Sequence, residues 1–120
     1  MALVLATDTH LTVRLTGARR AFGRWRPLTI PWRQVEAARV DAAAARAFPG
    51  ARWGVSSYLP GVLSLGSFRK GGLSFWDVAD PERAVVVELR GGKYDRLVLE
   101  VEDPAATVAD IRAHLDRVRD

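Results

Sequence analysis

A mainly β fold with a single C-terminal α-helix, an α+β arrangement, is what this sequence predicts, and three observations carry it. Two apolar segments, Ala84-Val-Val-Val-Glu-Leu-Arg90 and Arg96-Leu-Val-Leu-Glu-Val-Glu102, alternate with the period of two expected of a half-buried strand. Immediately after them, Asp103-Pro104 opens a stretch with helical spacing. The preceding 83 residues are cut into short strand-like runs by glycine and proline pairs.

The two apolar segments predict a hairpin. Val85, Val87 and Leu89 share one face of the first strand, and Leu97, Leu99 and Val101 share one face of the second. Matching those faces sets Leu89 opposite Leu97 and Val87 opposite Leu99, because a one-residue slip turns an apolar row out to water. The turn is then three or five residues within 91–95. Asp103 suits a helix N-cap, and Pro104 suits the first helical position, where its missing N–H needs no partner. Val108, Ile111, Leu115 and Val118 form an apolar stripe that must cover a sheet or a barrel mouth.

Length and composition bound the answer. A chain of 120 residues, 48% hydrophobic and 27% charged, is one domain (1–120) with material for a real core. It has no cysteine, so disulfides and thiolate chemistry are excluded. No apolar run approaches the ~18 residues of a membrane span, and the N-terminus lacks a signal-peptide layout, so the expected place is the cytoplasm, free or peripheral to a membrane. The net charge of +4 is unevenly spread. Residues 1–60 carry nine arginines against Asp8, Glu36 and Asp41, giving +6; residues 61–120 carry nine basic and eleven acidic groups, giving −2. Arginine outnumbers lysine 16 to 2, so compositional drift accounts for the arginine excess as readily as anion binding does.

Taken in order, residues 2–6 and 11–15 read as an N-terminal hairpin about the turn 7–10. The segment 18–27 is the most basic in the chain: Arg19, Arg20, Arg24 and Arg26 are interleaved with Phe22 and Trp25. It suits phosphate contacts or an anionic membrane surface, and more readily a solvated loop whose aromatics tuck into the core rim. Residues 28–30 form a short strand, Trp32 and Val35 turn inward, and 36–41 continue as a strand. The run 41–48 supports either a helix or a strand with a loop. Residues 52–59 are weakly patterned and read as a loop packing Trp53. Residues 62–68 and 73–78 read as strands about the turn 69–72, with Gly66 marking a bend. The tally is seven or eight short strands in sequential hairpins, which shed their exposed edges by curling into a barrel.

The order Ile30-Pro-Trp32, Arg52-Trp-Gly54, Pro60-Gly61, Gly66-Ser-Phe68, Phe75-Trp76, the valine-rich hairpin and the Asp103-Pro104 helix resembles the bacterial PH-like (pleckstrin-homology-like) domains over roughly residues 2–118. The resemblance implies a small antiparallel β-barrel of seven or eight strands, plugged at one end by the helix 104–118. It implies a fold and not a ligand. Relatives that bind phosphoinositides use lysines and arginines about the first hairpin loop, and here that loop, 7–10, has neither.

Catalytic chemistry finds little to work with. His10 and His114 are the only histidines, each beside an aspartate, and both read as surface contacts. No zinc, calcium or phosphate-loop pattern occurs, and no cofactor is expected. The acids Asp77, Asp80, Glu82, Glu100, Glu102 and Asp103 read as a solvated rim. Phe75 and Trp76 point to opposite faces of one strand, so one is core and the other is either exposed, which makes Trp76 a candidate partner surface, or covered by Trp53 or a neighbouring loop. The expectation is therefore a non-catalytic interaction module that self-associates or docks a protein. The alternative is a peripheral module that binds anionic lipid. The candidate binding residues are Arg19, Arg20, Arg24, Trp25, Arg26, Arg69, Lys70 and Trp76. Nucleic acid is disfavoured because one loop is not a stacking platform.

Overall fold

The valine-rich segments form the centre of the molecule, but they are buried on both faces. In this computed structural model, which describes residues 1–17 and 26–119, β8 (Ala84–Leu89) and β9 (Arg96–Glu100) pair antiparallel. Val85, Val87, Leu97 and Leu99 point into a large core. Ala84, Val86 and Val98 point the other way, into a second cluster with Phe68, Trp76, Val78 and Ala45. A continuous valine run is the pattern of a central strand covered on both sides, and the expectation of a single buried face is corrected accordingly.

The register also differs from the expected one. Val87 lies opposite Leu97 and Val85 opposite Leu99. That is a slip of two residues, which preserves the faces and lengthens the turn. The reason is non-local. The amide of Leu89 donates to the carbonyl of Asp95, and the amide of Asp95 donates to the carbonyl of Leu73, so the connection is anchored to another strand.

The remaining strands are β1 (Ala2–Ala6), β2 (His10–Leu15), β3 (Leu28–Pro31), β4 (Val35–Val40), β5 (Ala51–Leu59), β6 (Leu63–Arg69) and β7 (Leu73–Val78). Two helices join them, the short α1 (Ala42–Arg46) and the C-terminal α2 (Pro104–Arg119). The first three strands form one antiparallel sheet in the order β1-β2-β3, and the other six form a second sheet in the order β4-β8-β9-β7-β6-β5. Mainly β with a C-terminal helix is thus the observed class. The described strands nevertheless form two sheets and not one closed barrel, and they do not follow a simple meander. β9 inserts between β8 and β7 and runs parallel to β7.

Two acids read as solvated rim are instead structural. Glu100 is buried, and its Oε1 accepts from the amides of Ala79 (2.8 Å) and Asp80 (3.0 Å), pinning the crossover from β7 to β8. Asp77 is fully buried, with the α-ammonium of Met1 3.4 Å from its carboxylate.

Two segments that the sequence left open or read as loop are ordered. Asp41 caps α1 by accepting from the amide of Ala44 at 2.9 Å, which resolves 41–48 as a cap and a short helix, Ala42–Arg46, followed by a connection. Residues 52–59, expected as a loop, lie in the edge strand β5.

Helix α2 closes the gap between the sheets. Val108, Ile111 and Leu115 are buried in the large core, while Val118 at the last turn is half exposed. Asp103 caps it through the amide of Ala106. His114 stacks on Trp32, with ring centroids 5.6 Å apart and planes within 12°, and Trp32 in turn donates its Nε1–H to the carbonyl of Thr7 at 2.7 Å. His114 is thus a packing residue against the 3-10 turn Trp32–Gln34. Replacing Ile111 with alanine is expected to cost about 2–5 kcal/mol of stability in urea unfolding. Val118→Ala, at the exposed end of the same stripe, is expected to shift it by less than about 0.5 kcal/mol.

Candidate interaction surface

The two edges of the large sheet are treated differently by the fold. At one edge, β4 is crossed by α2, and the Nε–H of Arg112 donates to the carbonyl of Ala38 at 3.0 Å. That backbone acceptor is no longer available to a strand from outside. At the other edge, β5 pairs only with β6 and has no further strand beside it among the described residues. An uncovered edge presents unpaired backbone donors and acceptors to solvent.

Large apolar side chains gather at that open edge. Phe48 (55% exposed), Trp53 (53%), Leu59 (55%) and Val62 (60%) lie on β5, on the turn after it and on the connection before it. The pairing of Ala51 with Arg69 brings the end of β6 beside Trp53, and the Arg69 guanidinium sits over the indole, 4.7 Å from the ring centroid. From Phe48 inward, a file of edge-to-face rings runs through Tyr58 and Phe68 to Trp76, with centroid separations of 5.5, 6.3 and 6.4 Å. The outer ring of the file is exposed and the inner two are buried.

β5 is not regular. Its pairing shifts between Trp53 and Ser57, where Gly54 takes φ of +67°, a conformation that disfavours residues with a Cβ. The Ser56 hydroxyl, 2.8 Å from the carbonyls of Trp53 and Ser67, holds the bend. Such an irregularity limits how much straight edge is on offer, to Ala51–Trp53 on one side and Ser57–Leu59 on the other.

Beside this edge lies a cleft of about 420 Å³, walled by Phe48, Pro49, Lys70 and Leu73 with Trp76, Glu88 and Arg96 further in. An ion network underlies it. Arg96 grips Glu88 with two bonds (3.0 and 2.9 Å), Arg39 donates to the same carboxylate at 2.8 Å, and Arg39 also holds Asp41 at 2.9 Å. The network therefore ties β4, the cap of α1, β8 and β9 together. The backbone N–H of Ala44 and then the Arg39 guanidinium hold the Asp41 carboxyl below its ordinary range. For Glu88, partial burial is the largest single influence and pushes upward, but the bonds from Arg96 and Arg39 together outweigh it and leave the carboxyl depressed. Arg39 is correspondingly raised, first through its bond to Glu88.

The candidate residues fall in several places. Arg19, Arg20, Arg24 and Trp25 lie outside the described residues. Arg26 is exposed just before β3, in the small sheet, whereas Arg69 and Lys70 are exposed at the turn after β6 in the large one. Trp76 does not form a partner surface: it is buried in the second cluster, and its Nε1–H donates to the Ser74 hydroxyl at 2.8 Å. The sheet has two covered faces, so both Phe75 and Trp76 are core. Among the described residues the exposed tryptophan is Trp53, which the sequence offered as a packing residue in a loop. The signal for it was the absence of an alternating partner row in 52–59, which marks an edge as well as a loop. Among the described residues no group of three or more histidine, aspartate or glutamate side chains is placed to hold a metal ion, and no helix is long and apolar enough to cross a membrane.

Comparison with known proteins gives no match to a family model, to a curated protein or to a solved structure.

Because Asp41 and Glu88 are depressed in the folded chain, their contribution is complete at neutral pH and is lost as pH falls from about 4.5 through their folded values. Glu88→Gln is expected to cost about 1 kcal/mol at neutral pH, since solvent reaches part of the pair. It is also expected to lose less further stability than the native chain on acidification. Urea midpoints measured at pH 7 and in the acid range check both.

Proposed function

We propose that residues 1–120 are a non-catalytic PH-like interaction module that docks a protein partner through the open β5 edge. One observation carries this reading. Four large apolar side chains, Phe48, Trp53, Leu59 and Val62, stand more than half exposed along one uncovered strand edge and its two ends. Scattered single hydrophobics need no explanation, but a row of them on a free edge is the composition of a docking surface. The PH-like part of the proposal is supported by the motif order in the sequence and by a capped C-terminal helix that closes the gap between sheets. The parallel pairing of β9 with β7 is a departure from the antiparallel barrel that the resemblance implies. The proposed location is the cytoplasm, with or without attachment to a membrane surface.

A second reading, peripheral binding to anionic lipid through the loop 19–26 with Arg69 and Lys70, is favoured by charge. Residues 42–76 contain Arg46, Arg52, Arg69 and Lys70 and no acid at all.

A photo-crosslinking residue placed at Trp53 or Leu59 separates the two. The expected result in cells is a protein adduct, either twice the mass of the chain or the sum of the chain and another protein. The same residue at Arg14, exposed on the small sheet, is expected to give background only. Lipid adducts alone, or equal labelling from Arg14, would reject protein docking at this edge.

A further inference from the structure

The charge around the open edge specifies what kind of partner it takes. We infer that β5 accepts a short, extended, acidic segment of another protein as an added strand. This rests on the protein-docking reading above and supplies the chemistry of the partner.

The first ground is geometric. Of the two edges of the large sheet, β4 has a carbonyl occupied by Arg112 and lies under α2, whereas β5 is uncovered among the described residues. Adding a strand to a free edge uses main-chain hydrogen bonds for affinity and the alternating side chains for choice of partner.

The second ground is electrostatic. In the run 42–76, only Arg46 is paired with a carboxylate, that of Glu82. Arg52, Arg69 and Lys70 are exposed, and none is paired with a carboxylate among the described residues. Their placement follows from the register. Ala51 pairs with Arg69 and Trp53 with Ser67, so Trp53 and Arg69 share one face of the sheet, while Arg52, opposite Phe68, lies on the other. An added strand alongside Ala51–Trp53 sends successive side chains to alternate faces, and each face meets a cation. Acidic residues on both faces of the incoming strand are therefore matched, and an aliphatic or aromatic one beside the Trp53 indole completes the contact.

The same reasoning disfavours a second copy as the occupant. Docking β5 to β5 brings together two surfaces that each carry Arg52 and Arg69, while the nearby acids Glu88 and Asp95 lie in the cleft beyond Lys70, and like charges set against each other cost affinity. The shift between Trp53 and Ser57 also shortens the straight edge, which suits a short segment better than a long, continuous ladder between copies.

The test uses the full chain and two labelled peptides of about eight residues, the length of a short strand, one repeating Glu-Glu-Leu-Leu, which places acids on both faces, and the other repeating Lys-Lys-Leu-Leu. Fluorescence polarisation is expected to show the acidic peptide binding at least about tenfold tighter than the basic one, with affinity falling as salt is raised from ~50 to ~500 mM. Arg52→Glu combined with Arg69→Glu, and separately Trp53→Ala, are each expected to weaken it about tenfold or more while the chain keeps a cooperative unfolding transition, since all three side chains lie at the surface. Equal affinity for the two peptides, or no binding of either, overturns the inference. A dimer seen by light scattering and abolished by Trp53→Ala, with no peptide bound, overturns it while leaving protein docking at this edge in place. Salt-sensitive flotation on anionic vesicles that is lost in the double variant, again with no peptide bound, overturns both.

Discussion

The insertion of β9 between β8 and β7 is the constraint on which the rest of this structure depends. β9 pairs on both edges, and apolar side chains of β8 and β9 are buried on both faces of the sheet. That explains why Val86 and Val98 need a cover of their own on the side away from the large core. The short helix α1, the ring of Phe68 and the indole of Trp76 provide it. It also explains the buried Glu100. A chain leaving β7 must step past the place that β9 will occupy before starting β8, and the amides of Ala79 and Asp80 freed by that step are satisfied by one carboxylate. An acidic side chain at the buried end of a central strand is tolerated because it accepts these bonds.

Much of this was legible locally. The strands about the valine-rich turn and the capped α2 were readable because their periodicities and the Asp103-Pro104 pair depend only on near neighbours. The faces of β8 and β9 were readable too. Their register was not, because the choice between two slips of equal face is made by Leu73, whose carbonyl takes the Asp95 amide from a different strand. The β5 edge was hidden for a related reason. Gly54, Ser56 and Ser57 interrupt alternation where the strand bends, and a strand with one neighbour shows no apolar row to mark it. For Trp76 the sequence leaves exposure and cover both open, because the second cover includes α1, an alanine-rich turn without large apolar residues of its own.

The candidate surface was half visible in the same sense. Arg69 and Lys70 could be picked out at a turn, but the stacking of Arg69 on Trp53 depends on a hairpin register that joins residues sixteen positions apart, 53 and 69. Sequence distance conceals such pairs even when each member is conspicuous. The basic segment 19–26 remains a feature of the sequence, whereas the acid-free run 42–76 acquires a location, the end of the large sheet that finishes in β5.

The single bond from Arg112 to Ala38 has a consequence for how copies of this chain behave toward one another. A sheet with two receptive ends is a divalent building block: each copy can add to the next in a head-to-tail contact that need not close, which is the route to fibres. Placing the C-terminal helix across one end makes the large sheet monovalent toward added strands. Whatever joins at β5 then terminates the structure instead of extending it. In that role α2 is a stop as well as a lid, and a chain shortened ahead of Arg112 loses both the cover of its core and the limit on its growth.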